Sequence, residues 1–138
     1  MLTNSTLIYL FKVHELCRET MGRHTCDKHS PISVVSKAFP NWDFKQCQNE
    51  EDVLWTPIRE SPLEVQARAK QWLTQVWATP SIGAHVMLVN HSGFLKACWS
   101  VLGLGEKHFK NAQLLSVIIQ PKNTPLVLSS NSESVKSS

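Results

Sequence analysis

Apolar residues run unbroken from Leu7 to Phe11 and return at Val13, so residues 7–13 (LIYLFKV) predict a short buried strand. Residues 14–30 (HELCRETMGRHTCDKHS) are dense in ionisable side chains and show neither helical nor strand periodicity. They predict a loop with a helical turn in it. Pro31 follows Ser30 at a favourable first helical position, which predicts a short helix over 31–39. From Pro40 to Ile58 the pattern is irregular, with the acidic run Glu50-Glu51-Asp52 followed by Trp55 and Pro57. That reads as a long surface loop, a kind of segment that often carries function.

The strongest periodic signal follows. Ser61, Pro62 and Glu64 form an N-cap, a first-position proline and a capping-box partner. Val65, Ala69, Trp72, Leu73 and Val76 then mark one helical face, and Arg68 lies four positions after Glu64 as a favourable helix pair. Thr79-Pro80 ends the helix. Residues 85–90 (HVMLVN) predict a strand, His91-Ser92-Gly93 a tight turn, and Phe94–Leu102 a buried helix closed by Gly103 and Gly105. Gln113–Gln120 predicts a last β-branched strand. From Pro121 the chain is Pro, Asn, Ser and Lys without a period, so 121–138 is expected to be a disordered tail. Alternating helices and strands predict an α/β fold with a central sheet.

Composition adds mainly exclusions. The 138 residues fit one domain, and 14 Lys plus Arg against 11 Asp plus Glu leave a net charge of +3. Charge that mild, with no basic run longer than two, predicts no nucleic-acid or anionic-membrane partner. Cys17, Cys26, Cys47 and Cys98 include no C-x-x-C pair, which points to a reducing compartment. No apolar run is long enough for a secretion signal or a membrane span, so a cytoplasmic location is expected. A metal site built from His24, Cys26 and His29 with Cys47 or Cys17 has loose spacing, and no metal is expected. The five tryptophans (Trp42, Trp55, Trp72, Trp77, Trp99) and Cys98 are expected in packing roles.

The strand–His91-Ser92-Gly93–helix arrangement is chemically suggestive. Ligands gather at the carboxyl ends of strands in open sheets, and amides at a helix N-terminus favour anions. Spacing alone leaves an ordinary capped turn open. The string LVNHSGFLKACWSVLG, however, resembles the V-x-T-H-G/S-G-F-L segment of the histidine phosphatase superfamily, in its phosphoglycerate mutase-like branch. HELCRETMGRHTCDKHSPIS is similar to that branch's H-E-L-C-R-E-x-x-G-x-H-x-C-D-K/R-R stretch. EEDVLW with RESPLEVQARAKQWL resembles its acidic loop and following helix, and HFKNAQLLSVII its F-x-N-C/A-E-L-R-S strand. The four matches are collinear over about residues 13–119.

The resemblance implies a phosphomonoester site and no cofactor. One histidine attacks phosphorus, two arginines and a second histidine hold the oxygens, and a carboxylic acid protonates the leaving group. On this chain His91 matches the second histidine, and Ser92 and Gly93 the adjacent turn. Glu19 in C-R-E-x-x-G is the choice for the acid, with Glu15 the alternative. Asp27, Lys28 and His29 fall at the substrate rim, His29 standing where the branch carries arginine. Asn90 replaces the usual threonine. The defining R-H-G and the helix carrying the second arginine are not in these 138 residues. The expectation is therefore a truncated three-layer α/β/α phosphoglycerate mutase-like fold with an incomplete sheet. It is divided into a non-matching segment at 1–12, a partial domain at 13–120 and the tail. Such a chain is expected to be catalytically inactive, since losing even one oxyanion donor costs on the order of a hundredfold. Its partner in full-length form is a phosphorylated small molecule, mutase and phosphatase both remaining open. A non-catalytic anion- or protein-binding module is the alternative. An uncovered apolar edge at HVMLVN also predicts homo-association.

Overall fold

The computed structural model describes residues 11–78 and 85–119. Helix α2 (Pro62–Ala78) starts as its sequence dictates. The Ser61 hydroxyl accepts from the Glu64 amide (3.3 Å), while Glu64 Oε2 accepts from the Ser61 amide and hydroxyl (2.7 Å each). Its apolar face then buries Val65, Ala69 and Trp72, with Leu73 and Val76 at the margin. Helix α3 (Ser92–Val101) packs on that face through Phe94, Ala97 and Cys98. Phe94 is fully buried and meets Trp72 edge-on, ring centroids 6.2 Å apart. Leu16 and Cys17, from a 3₁₀ turn at Glu15–Cys17, pack on the same core together with Leu88.

Six buried apolar side chains are a small core among the described residues. Each contributes at most about 1.5–3 kcal/mol. Polar contacts between loops therefore carry a large share of what fixes the remaining geometry. Helix α1 (Ile32–Ala38) illustrates this, since it buries no residue of its own. Its first turn is held from a distance: the Ile32 amide donates to the Glu50 carbonyl (3.0 Å), and the Ser33 amide to Glu50 Oε2 (3.2 Å). The acidic run thus supplies the cap that Ser30-Pro31 do not.

Two expectations change. Helix α3 begins at Ser92 rather than Phe94, with His91 as its N-cap in an extended conformation (φ −85°, ψ 161°). Ser92 and Gly93 are its first turn, where backbone amides lack intrahelical acceptors. The expected central sheet is not formed among the described residues. Residues 85–90 and 113–119 join no ladder, and the backbone pairing that exists is an isolated parallel bridge between Lys12 and Asp43. A β-prone sequence becomes a strand only beside a partner, and among the described residues none pairs with these segments. Leu88 packs on the core, but most of their other apolar side chains stand in solvent, Val89 81% and Ile118 91% exposed. Of the strand expected at 7–13, Phe11–Val13 make the bridge to Asp43, and residues 7–10 lie outside the described residues, as do Thr79-Pro80 and the tail 121–138.

Candidate functional site

The acidic loop and the C-R-E stretch are joined by a buried ion pair. Asp52 receives both Nη groups of Arg18, one at 2.8 Å, and the amides of His29 (3.0 Å), Leu54 (3.1 Å) and Trp55 (2.9 Å). The Asp52 side chain is 0% exposed and that of Arg18 10%. Burial would raise the Asp52 carboxyl. The hydrogen bonds from Arg18 and from the His29 and Trp55 amides, with the Arg18 charge, outweigh it and hold the group well below the usual carboxylate range. Arg18 also reaches Glu15 Oε2 (3.3 Å), whose other oxygen lies 3.8 Å from His29 Nε2.

A second hub is Arg68, and here the helix spacing misleads. Glu64 is committed to Ser61, and Arg68 instead takes Glu60 bidentately, Nε to Oε1 at 2.9 Å and Nη2 to Oε2 at 2.8 Å. Its remaining N–H groups donate to the carbonyls of Leu16 (2.7 Å), Arg18 (2.8 Å) and Glu19 (3.3 Å). The guanidinium lies 5.1 Å from the centre of the Phe94 ring. Glu60 in turn accepts from the Met21 amide (3.1 Å), and its own amide donates to the Met21 carbonyl (2.9 Å).

Between these hubs the chain turns at Gly22, buried with φ +85°. An added Cβ there would overlap the Ile58 carbonyl. Arg59 braces the same turn, its Nη1 donating to the carbonyls of Thr20 (2.7 Å) and Gly22 (3.0 Å) and to Asp27 Oδ2 (2.7 Å).

The loop delivers Glu19 to the start of α3. Glu19 Oε1 accepts from the Thr20 amide (2.7 Å) and hydroxyl (3.2 Å), while Oε2 lies 3.4 Å from the Gly93 amide. A methyl on Gly93 would overlap Glu19 Oε1 and come within 2.6 Å of Thr20 Oγ1. Close approach, rather than a special φ, is what glycine provides at this position. Asn90 ties the preceding residue down, its Nδ2 donating to the Cys17 carbonyl and its Oδ1 accepting from the His91 amide (2.7 Å). His91 is exposed, and its carbonyl accepts from the Leu95 amide (3.1 Å).

The residues singled out in the sequence thus fall into two groups. Glu19 and Gly93 touch, with His91 and Ser92 adjoining along the chain. Glu15 and His29 belong to the Arg18–Asp52 cluster, His29 Nδ1 also lying 2.7 Å from the Ser30 carbonyl. Lys28 is exposed beside them, its amide closing the turn at Thr25–Asp27. Asp27 is paired with Arg59. Asp52, Arg68 and Glu60 were not singled out for the site. The competition for Glu64 between its cap and Arg68 was the one signal that Arg68 has another partner.

Other features fit less well with chemistry at this place. Burial pushes the Cys17 thiol up to about 12, with Cys98 adding and Arg68 opposing, and pushes Cys98 up to about 11. Both are protonated core thiols. Among the described residues no three His, Cys, Asp or Glu side chains converge as a metal site, and no helix is long and apolar enough to cross a membrane. An open cavity of about 340 Å³ is lined by Met21, Leu54, Ile58, Arg59, Glu60 and Glu64. It includes neither Glu19 nor the α3 N-terminus.

Comparison with known proteins agrees with the motifs. Residues 25–131, more than half of the chain, match the histidine phosphatase superfamily (branch 1). A phosphoglycerate mutase-like protein of Arabidopsis thaliana is 35% identical over 119 residues, covering 79% of this chain and 43% of the relative. Phosphoglycerate mutase-like protein 1 of the same plant is 35% identical over 115 residues, 76% of this chain and 40% of the relative. A probable phosphoglycerate mutase of Arthroderma benhamiae is 29% identical over 109 residues, 78% and 32% respectively. The chain therefore spans less than half the length of these curated relatives. No solved structure matches it significantly. Motifs and matches together place the chain in the histidine phosphatase superfamily, in its phosphoglycerate mutase-like branch.

Proposed function

We propose that this chain carries the acid and one wall of a phosphomonoester site. The superfamily is α/β and its substrates are phosphorylated small molecules. The observation that carries the reading is the contact of the Glu19 carboxylate with the first turn of α3. The amides of Ser92 and Gly93 hold phosphoryl oxygens at the positive end of the helix, with His91 beside them. Glu19, beside that anion, protonates the leaving oxygen. Glu15 is the weaker candidate, because its oxygens face Arg18 and His29. Lys28 remains a rim cation for the rest of the substrate, and His29 a rim residue that acts through its charge when protonated. The chemistry calls for no cofactor.

Turnover needs a nucleophile and cationic clamps that these 138 residues do not contain as R-H-G. By themselves they are proposed to be a catalytically incomplete part of the fold. The second reading, a non-catalytic anion-binding module, is favoured by one feature: the Ser92 and Gly93 amides open α3 whether or not a nucleophile is near. The test is an aryl phosphate assay together with calorimetry against inorganic phosphate and vanadate. The expected result is no turnover with saturable binding. Turnover abolished by His91→Ala overturns the inactivity, and absence of saturable heat overturns the anion site.

A further inference from the structure

Every N–H of the Arg68 guanidinium has an acceptor, and the acceptors lie on parts of the chain that must agree for Glu19 to meet Gly93. Guanidinium offers five donors in a fixed plane. Two take Glu60 just ahead of α2, and three take the carbonyls of Leu16, Arg18 and Glu19. The guanidinium carbon lies over the ring of Phe94, the residue after Gly93 in α3, 5.1 Å from its centre. We infer that Arg68 is the positioning residue of the site: one rigid side chain on α2 fixes the backbone that bears the acid and the helix end that receives the phosphate.

Physical alternatives for this task are weak. Among the described residues the Glu19 side chain is oriented by Thr20 and the 3.4 Å approach to Gly93. Neither contact sets where its backbone lies. Leu16 and Cys17 pack on α2 and α3, Asn90 holds the Cys17 carbonyl and Asp52 the Arg18 side chain, but none of these reaches the Arg18 or Glu19 carbonyl, which Arg68 takes. Carbonyls, unlike side chains, cannot swing to follow a misplaced donor, so three of them on one guanidinium fix the segment in all directions. Buried and bidentate, the Glu60 carboxylate holds the guanidinium plane itself, the two side chains being 8% and 10% exposed. Lysine keeps the charge but offers a single point of donation without a plane, so it cannot satisfy three carbonyls and a carboxylate together. The role is positional because Arg68 touches neither His91 nor the α3 amides.

The inference rests on Glu19 being the acid of the proposed site, and its test is separate from phosphate binding. It uses the full chain and amide NMR, reading whether Gly93 senses Glu19. In the native background, Glu19→Gln is expected to move the Gly93 amide resonance, because the carboxylate lies against that amide. In an Arg68→Lys background the same change is expected to leave Gly93 unmoved, while the far-ultraviolet circular dichroism of the helices is retained. A merely structural Arg68 lowers the thermal midpoint but leaves the Glu19-to-Gly93 response intact, and that result overturns the inference. Should Arg68→Lys fail to fold, Glu60→Gln makes the same test by releasing the guanidinium plane without emptying the core. A retained response there is equally contradictory. Loss of the response on Arg68→Lys together with no effect of phosphate on any amide keeps the positioning and removes the phosphate reading.

Discussion

Arg18 and Asp52 are 34 positions apart and form a buried ion pair in which the carboxylate is saturated by one guanidinium and three backbone amides. Removing one partner strands a charge without water. Asp52→Ala is therefore expected to cost about 3–5 kcal/mol, a large share of a small domain's stability. Urea denaturation followed by circular dichroism measures it.

The same carboxylate sets an acid dependence. Its folded value is held below the ordinary value of 3.8. A depressed carboxyl contributes stability that is present above its unfolded value and lost as pH falls through its folded one. The thermal midpoint is expected to drop below about pH 4, with Asp52→Asn both lowering it at neutral pH and flattening that acid limb. An acid limb of unchanged steepness in Asp52→Asn contradicts this.

Two glycines make opposite predictions. At Gly22, φ +85° and the rigid Ile58 carbonyl both exclude a side chain, so Gly22→Ala is expected to cost roughly 2 kcal/mol or more. At Gly93 the obstructing atoms are the ends of the Glu19 and Thr20 side chains, which can swing away. Alanine gains about 1 kcal/mol in helix propensity there. Gly93→Ala is expected to leave the denaturation midpoint nearly unchanged while displacing Glu19, read as a shift of the Glu19 and Thr20 amide resonances.

The capping box, the apolar face of α2 and a buried helix from Phe94, two residues after its observed start, were legible in local spacing, and the family in the resemblance of whole motifs. Val65, Ala69 and Trp72 announce themselves by period, as Ser61 and Glu64 do by offset. What local spacing could not show was long-range polar pairing: Glu50 capping α1, Asp52 receiving Arg18, and Arg68 choosing Glu60 over Glu64. Each depends on which loop lies nearby, and a sequence pattern records a side chain's donors and acceptors but not the partners that meet them. The 85–90 and 113–119 segments, which join no ladder among the described residues, mark the same limit. Apolar alternation shows that a segment suits a sheet, whereas the strand itself is a property of two segments.

Those segments carry the proposal of self-association. Val89 and Ile118 are among the most exposed apolar side chains, so replacing both by lysine removes no packing among the described residues. Sedimentation of the chain is expected to show concentration-dependent association, which the Val89→Lys, Ile118→Lys variant loses with its thermal midpoint unchanged. Association of undiminished strength in the variant places the contact elsewhere.

The central claim is that phosphate is received by the first turn of α3 beside Glu19. Amide NMR with inorganic phosphate, on the native chain and on Glu19→Gln, tests it most directly. The account predicts saturable shifts at Ser92 and Gly93 in both. Binding should be roughly tenfold tighter in Glu19→Gln, where a like charge next to the anion is gone. Shifts confined to other residues, or binding weakened by Glu19→Gln, would contradict it.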